Sequence, residues 1–282
     1  MASIDNKSAR ELLDFYLEAG VDALLGEEPV DRFAEIESLP PPERGRSIRE
    51  ADRVGVGANN PTRSTLHVDH PPLSGEGKSL TAPDAAAMEA RAAAKGAQTL
   101  DELRAILERF DGCALKATAT RLVFADGNSQ ARVMLVGEAP GRDEDIEGLP
   151  FVGRSGKLLD RMLAAIGLDR TSVYIANIVP WRPPGNRTPT PQESQICLPF
   201  ILRQIELANP DVLVCLGGPS AQTLLGVKDG ITKTRGRWFT FNTGKRDIPA
   251  MPTFHPAFLL RSPLQKRFAW RDFLAIKKAL DG

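Results

Sequence analysis

The chain has 282 residues and no net charge, because 36 basic side chains balance 36 acidic ones. Hydrophobic residues make up 42% and charged residues 26%, which is typical of a globular protein and excludes wholesale disorder. No apolar run approaches the roughly 18 residues of a membrane span, and the first residues lack a secretory signal pattern. Three cysteines cannot form a disulfide framework. We therefore expect a soluble, cytoplasmic protein with no membrane partner.

Charge is distributed unevenly along the chain. Residues 1–60 hold 7 basic and 13 acidic side chains, whereas residues 226–282 hold 12 basic and 4 acidic ones. Such polarity is typical of a protein whose one end faces an anion, although a solvated basic surface explains it equally well.

The first 83 residues differ from the rest in pattern. Within residues 1–30, apolar and acidic residues alternate at helical spacing from Ser8 to about Leu25, which predicts one short acidic amphipathic helix. Residues 31–83 are rich in proline without a sustained period and are interpreted as a flexible linker. One hypothesis is that residues 1–30 bind a protein partner. Residues 84–282 are predicted to form the globular domain.

Two helices are expected to open this domain. The first is alanine-rich and starts near Asp84. The second is LDELRAILERF, which Thr99 and Glu102 would cap as a capping box and which presents an apolar face ending at Phe110.

From residue 113 onward, apolar strands alternate with helical patterns. The predicted strands are Arg132–Gly137, Val173–Val179, Val212–Gly217 and Ala250–His255. The predicted helices are Gly156–Ile166, Pro191–Leu207, Pro219–Leu225 and Leu264–Leu280. Continuous apolar strands that alternate with helices favour an α/β fold, in which helices cover both faces of a parallel sheet.

Ligands of such sheets bind outside the carboxyl ends of the strands, so the residues at those ends are site candidates. They are Gly137 to Gly141, Asn177, Gly217 with Gly218, and His255. The glycine-rich loop lacks the nucleotide-binding motifs, and the carboxylate of Glu138 would repel a phosphate. The loop is better suited to placing one acid close to a ligand that is not bulky.

Three ordered motifs carry a family resemblance. They are VMLVGEAPGRDEDIEGLPFVGRSGKLLDRML, YIANIVPWRPPGNRTPTPQE and TFHPAFLLR. Over about residues 105–280 the chain resembles the uracil-DNA glycosylase superfamily, in particular its family 4. The resemblance implies a three-layer α/β/α fold with a four-stranded parallel sheet in the order 2-1-3-4. It also implies a DNA repair hydrolase that flips uracil out of DNA and cleaves its N-glycosidic bond.

The resemblance also implies roles for single residues. Glu138 would orient water or favour the cationic sugar, and His255 would donate to uracil O2 as negative charge develops. Asn177 would read the O4 and N3–H edge, and Phe151 would stack on the flipped base. The base-binding set is Gly137, Ala139, Pro140, Gly141, Glu144, Asp145, Phe151 and Asn177. In the acidic segment Asp143 to Asp145, one member would block the 5-methyl group of thymine, with a solvated turn as the alternative.

DNA itself would meet a basic, partly apolar surface. The expected contacts are Arg182, Arg187, Leu259, Leu260, Arg261, Lys266 and Arg267. The arginines and lysine would pair with phosphates, although for any single one a solvated surface is the more common role. The resemblance implies that the two leucines form a wedge that fills the gap of the flipped base.

The chain departs from family 4 at its iron–sulfur ligands. Such enzymes typically hold a [4Fe–4S] cluster on four cysteines, of which this chain has only counterparts in Cys113 and Cys197. Phe110 and Trp181 stand at the other two positions, and Cys215 lies within a predicted strand. Since two thiolates cannot replace four, we expect no cluster, no other metal and no cofactor.

Two alternatives to turnover remain open. One is a protein of the same superfamily that binds uracil-DNA with little turnover, although Ala139 occupies the place of that branch's glutamine and no histidine-bearing insertion follows the second strand. The other is an adaptor that binds a partner through residues 1–30. The sequence does not decide which further bases are accepted, whether single or double strands are preferred, which acid in 138–145 orients water, or the oligomeric state.

Overall fold

A computed structural model describes residues 82–281 of this protein. The predicted acidic helix and residues 31–81 of the predicted linker lie outside the described residues, whereas residues 82 and 83 begin the first helix. Within residues 82–281, none of the helices is long and apolar enough to cross a membrane.

A six-stranded sheet forms the centre of the fold. Its strands are β1 (Asp126–Gly127), β2 (Val133–Gly137), β3 (Tyr174–Asn177), β4 (Val212–Leu216), β5 (Phe239–Asn242) and β6 (Asp247–Thr253). They lie in the order β1-β3-β2-β4-β6-β5. The four central strands are parallel and have the predicted order, so that part of the prediction is confirmed.

The sheet has two strands more than the predicted four, because β1 and β5 extend it at its two edges. Both pair antiparallel with their neighbours, β1 with β3 and β5 with β6. The strand β1 has only two residues, too few for any periodicity to show. The strand β5 joins β6 through a turn in which Gly244 has a φ of 90°, a conformation that glycine adopts without strain.

Nine α-helices surround the sheet within the described residues. They are α1 (Ala82–Gly96), α2 (Leu100–Arg109), α3 (Arg142–Glu147), α4 (Arg154–Ala164), α5 (Pro191–Ala208), α6 (Gly218–Leu225), α7 (Ile231–Thr234), α8 (Pro256–Arg261) and α9 (Lys266–Asp281). Thr99 caps α2 as predicted, since its hydroxyl accepts from the Glu102 amide at 3.1 Å. The Glu102 carboxylate accepts from the Gln98 amide at 2.6 Å, and not from the Thr99 amide that a capping box requires.

The helices cover both faces of the sheet. In β2, Met134 and Val136 belong to one buried cluster with α1, α2 and α5, whereas Val133 and Leu135 belong to another with α4 and α9. Successive side chains of a strand point to opposite faces, so every residue of β2 is buried. This confirms the predicted three-layer α/β/α arrangement. It also brings the carboxyl ends of β2, β3, β4 and β6 to one edge.

Candidate active site

A cleft of about 540 Å³ opens at the carboxyl edge of the parallel strands. Ten of the predicted site residues line it: Glu138, Ala139, Pro140, Gly141, Glu144, Phe151, Asn177, Arg187, His255 and Arg261. They come from four separate stretches of sequence, which the parallel sheet brings together. The sequence stretch from Pro183 to Pro189 supplies part of the opposite wall.

Asn177 ends β3 inside this cleft and carries an unsatisfied acceptor. Its side chain is buried, and its Oδ1 has no hydrogen-bond partner within the described residues. Its neighbour across the ladder, Gly137, leaves it room, because a Cβ there would lie 2.4 Å from Oδ1. A buried amide oxygen without a partner is unfavourable unless a ligand supplies the donor.

Phe151 forms the next part of the pocket floor. Its ring lies 5.4 Å from the His255 ring between centroids, tilted by 33°. A Cβ at Gly137 would lie 2.7 Å from the tip of the Phe151 ring, so the glycine also permits this packing. The backbone of Phe151 has a φ of 56°, which is unusual for a large side chain.

His255 follows β6 and caps α8. Its Nδ1 accepts a hydrogen bond from the amide of Ala257 at 3.1 Å, so in the neutral ring the proton is on Nε2. Burial, together with the positive charge of Arg261, lowers the pKa of His255 to about 4. The imidazole is therefore neutral near pH 7 and has an Nε2–H to donate.

Glu138 lies directly after β2 and is half-buried. Burial raises the pKa of its carboxyl group above the usual value. Its main-chain oxygen accepts from the amide of Val179 at 3.0 Å, which fixes the backbone beside β3. The carboxylate itself has no hydrogen-bond partner within residues 82–281, so it is available to a ligand or to water.

Two of the other three acids in this segment, Glu144 and Asp145, have structural contacts. The Glu144 carboxylate accepts from the amides of Gly141, Val152 and Gly153 at 3.0 to 3.1 Å, which joins the loop to the start of α4. Asp145 is buried, does not line the cleft, and accepts from the amides of Thr120 and Arg121. The structure thus moves Asp145 out of the predicted base-binding set, because α3 turns its side chain toward the 120–121 loop.

The predicted basic residues fall into two groups. Arg187 forms a two-pronged ion pair with Glu193 at 2.7 and 2.8 Å, and Arg182 donates to the side chain of Asn186 at 2.6 Å. Arg261, Lys266 and Arg267 belong to α8 and α9 and form no ion pair within the part of the chain that the structure describes. The second group is free to meet an anion, whereas Arg187 would first have to leave its acid.

The two leucines of the predicted wedge differ in exposure. Leu259 is only 1% exposed and packs with Phe254 and Ala269, so it is a core residue. Leu260 is half-buried. Leu264, which the sequence reasoning missed, is 84% exposed on the turn between α8 and α9. Helical periodicity could have shown which of these leucines is buried and which is exposed only if the end of α8 at Arg261 had been known.

The corner that holds the two family-type cysteines is packed with aromatic rings. The Sγ atoms of Cys113 and Cys197 lie 3.8 Å apart and both are buried. Phe110 packs edge-on against Phe200 at 5.0 Å between centroids, and Trp181 is 2% exposed. Hydrogen bonding to Cys113 and burial raise the pKa of the Cys197 thiol well above its usual value. Two thiols among aromatic rings do not fit a four-cysteine cluster.

These features define an α/β protein with a cleft at the carboxyl edge of its sheet, lined by a buried amide, a neutral imidazole, a half-buried carboxyl group and an aromatic ring. Residues 124–274, just over half of the chain, match the uracil DNA glycosylase superfamily. The chain belongs to this superfamily, which confirms the resemblance seen in the motifs.

Three curated relatives of this chain are type-4 uracil-DNA glycosylases. The chain is 45% identical over 169 residues to the type-4 uracil-DNA glycosylase of Thermotoga maritima, covering 58% of this chain and 86% of that protein. It is 39% identical over 183 residues to the type-4 enzyme of Archaeoglobus fulgidus, covering 64% and 92%. It is 40% identical over 186 residues to that of Saccharolobus solfataricus, covering 64% and 86%.

Proposed function

We propose that this protein is a DNA repair enzyme that hydrolyses the N-glycosidic bond of uracil in DNA and leaves an abasic site. The observation that carries the proposal is the unpartnered Oδ1 of Asn177, buried in a cleft that also holds a neutral histidine and a half-buried glutamate. Its partner is uracil-containing DNA. The base must leave the duplex to enter such a cleft.

Recognition of the base follows from the Asn177 amide. Its Oδ1 accepts from uracil N3–H, and its NH₂ donates to O4. Cytosine offers an acceptor at N3 and a donor at N4. The amide oxygen would then face an acceptor and the amide NH₂ a donor, which leaves buried polar groups unpaired. The Phe151 ring supplies a surface on which the pyrimidine stacks.

Glu138 and His255 divide the chemistry between them. As the bond between C1′ and N1 breaks, its electron pair goes to the uracil, and positive charge develops on the sugar. The Nε2–H of His255 donates to O2, where the negative charge gathers, and remains with the ring. The Glu138 carboxylate stabilises the sugar cation, orients the water that adds to C1′, and accepts the proton that this water loses.

DNA is held by three basic side chains without an ion pair among residues 82–281: one lines the cleft, and the other two lie at the start of α9. Arg261, Lys266 and Arg267 pair with phosphates on either side of the flipped nucleotide. Leu264 is exposed and lies between Arg261 and Lys266 in the sequence, and we propose that it enters the emptied stack, in the role that the sequence had given to Leu259 and Leu260.

The protein works without an iron–sulfur cluster in this proposal. The support is the donor set of the corner, where Phe110 and Trp181 fill the positions of two ligands and only two thiols remain. Apolar packing between α2, α5 and the Trp181 segment then joins parts of the chain that a cluster would otherwise join.

Excision of uracil tests the proposal directly. Full-length protein is incubated with single- and double-stranded oligonucleotides that carry one uracil, and abasic sites are revealed by alkaline cleavage. Glu138→Gln and His255→Ala should slow excision about 10²–10³-fold, whereas Glu147→Gln, on the exposed end of α3, should not. Binding of uracil-DNA without cleavage by the wild type would favour the alternative of a binding protein with little turnover.

A further inference from the structure

The backbone of Phe151 has a conformation that phenylalanine rarely adopts. With a φ of 56°, Phe151 lies in the left-handed region, which large side chains rarely adopt unless their surroundings impose it. Since the ring of Phe151 is buried in the floor of the cleft, any relaxation of this backbone would move the stacking surface.

Two neighbouring residues allow or stabilise this backbone conformation. Gly156 makes room, because a Cβ at that position would lie 1.6 Å from the Phe151 carbonyl oxygen. Glu144 binds the two amides that follow, those of Val152 and Gly153. Neither feature binds the carbonyl of Phe151 itself.

Arg170 binds that carbonyl. Its Nη2 donates to the Phe151 oxygen and its Nη1 donates to the Pro150 oxygen at 3.1 Å. One planar guanidinium therefore binds two successive carbonyls. The guanidinium is fixed in turn by Asp160, at 2.8 Å from Nε, and by Asp126, which pairs with Nη1. Arg170 lies outside the residues that line the cleft, so it cannot touch the base.

We infer that Arg170 is a positioning residue, which holds the Phe151 ring flat beneath the flipped base and against His255. The inference rests on the proposed function. Arg170 acts on the reaction only through the carbonyl of Phe151, so its contribution must disappear when the ring is absent. That dependence separates a positioning role from a general contribution to stability.

A double-mutant cycle measures the dependence. Single-turnover uracil excision is compared for the wild type, Arg170→Met, Phe151→Ala and the double variant. Arg170→Met should slow excision about 10- to 100-fold, as expected when the bound base is displaced by about 1 Å from the catalytic groups. In the Phe151→Ala background, Arg170→Met should alter the rate less than about threefold. Affinity for uracil-free DNA should not change in either background.

Two further variants complete the experiment. Arg132→Met is the matched control, because Arg132 also pairs with an acid and a carbonyl, Asp211 and Leu280, but before the start of β2. It should leave excision unchanged. Arg170→Lys keeps the charge beside Asp126 and Asp160 but lacks the planar fork, so it should lose less activity than Arg170→Met, and it serves in the cycle if the methionine variant does not fold.

The outcomes separate this inference from the function on which it rests. A wild type that releases no uracil overturns both. An active wild type with an unchanged Arg170→Met rate, or with an equal loss in both Phe151 backgrounds, overturns the positioning role alone.

Discussion

The cleft and the corner around Cys113 and Cys197 lie in the same domain but differ in whether their polar groups have partners. In the cleft, Oδ1 of Asn177 and the carboxylate of Glu138 have no partner among the described residues. In the corner, Cys197 donates to Cys113 and aromatic rings fill the remaining space. The cleft keeps polar groups available for a ligand, whereas the corner contributes packing. Changes in the corner should therefore affect stability, and changes in the cleft should affect turnover.

The largest expected effect is on the corner. Trp181→Ala would remove one of the largest fully buried side chains and should lower the free energy of unfolding by about 3–5 kcal/mol. Urea denaturation measures the change, and Trp238→Ala is the matched control because Trp238 is 42% exposed and should lose less than about 1 kcal/mol.

The purified wild-type protein should be colourless and free of bound iron and sulfide, including after anaerobic preparation. Stoichiometric iron with sulfide would contradict the proposal that packing replaces the cluster. So would a Trp181→Ala variant as stable as the wild type.

A smaller effect, confined to turnover, is expected in the cleft. Asn177→Asp keeps the shape but, once ionised, faces uracil O4 with a carboxylate and removes the NH₂ donor. Uracil excision should fall at least about 100-fold at pH 8, roughly 3 kcal/mol in the barrier. Release of cytosine should become measurable, because a carboxylate accepts from the N4 amino group. Single-stranded oligonucleotides with one uracil or one cytosine measure both reactions.

The exposed Asn128→Asp, beyond the end of β1, is the control for that substitution and should leave both reactions unchanged. Undiminished excision of uracil by Asn177→Asp would show that another group reads the base.

The smallest effect is a dependence of stability on pH. The pKa of His255 is about 4 in the folded protein and about 6.5 when the chain is unfolded. Between these values the unfolded state binds more protons, so the contribution of His255 is complete above pH 6.5 and is lost as the pH falls toward 4. The wild type should lose about 2–3 kcal/mol more than His255→Asn between pH 7 and pH 4, by urea denaturation at each pH. Parallel curves for the two proteins would contradict this.

Much of the fold could be predicted from periodicity. Strands such as β2 and β4 are continuous apolar runs bounded by turn residues, and α5 begins at the predicted residue because Thr190 and Glu193 cap it. The edge strands could not be predicted in this way. The strand β1 is two residues long, and β5 alternates without a strong apolar signal, so pairing with β3 and β6 rather than local propensity makes them strands.

The sequence by itself determined the parallel α/β core, the family and the strand-end residues Glu138, Asn177 and His255, because these depend on local periodicity and on ordered motifs. Only the tertiary structure decided which side chains reach the cleft. It buried Leu259 and exposed Leu264, turned Asp145 toward Thr120, and brought Arg170 behind Phe151. The physical reason is that a side chain's partners come from elements distant in sequence, and the direction of each short helix depends on how it packs.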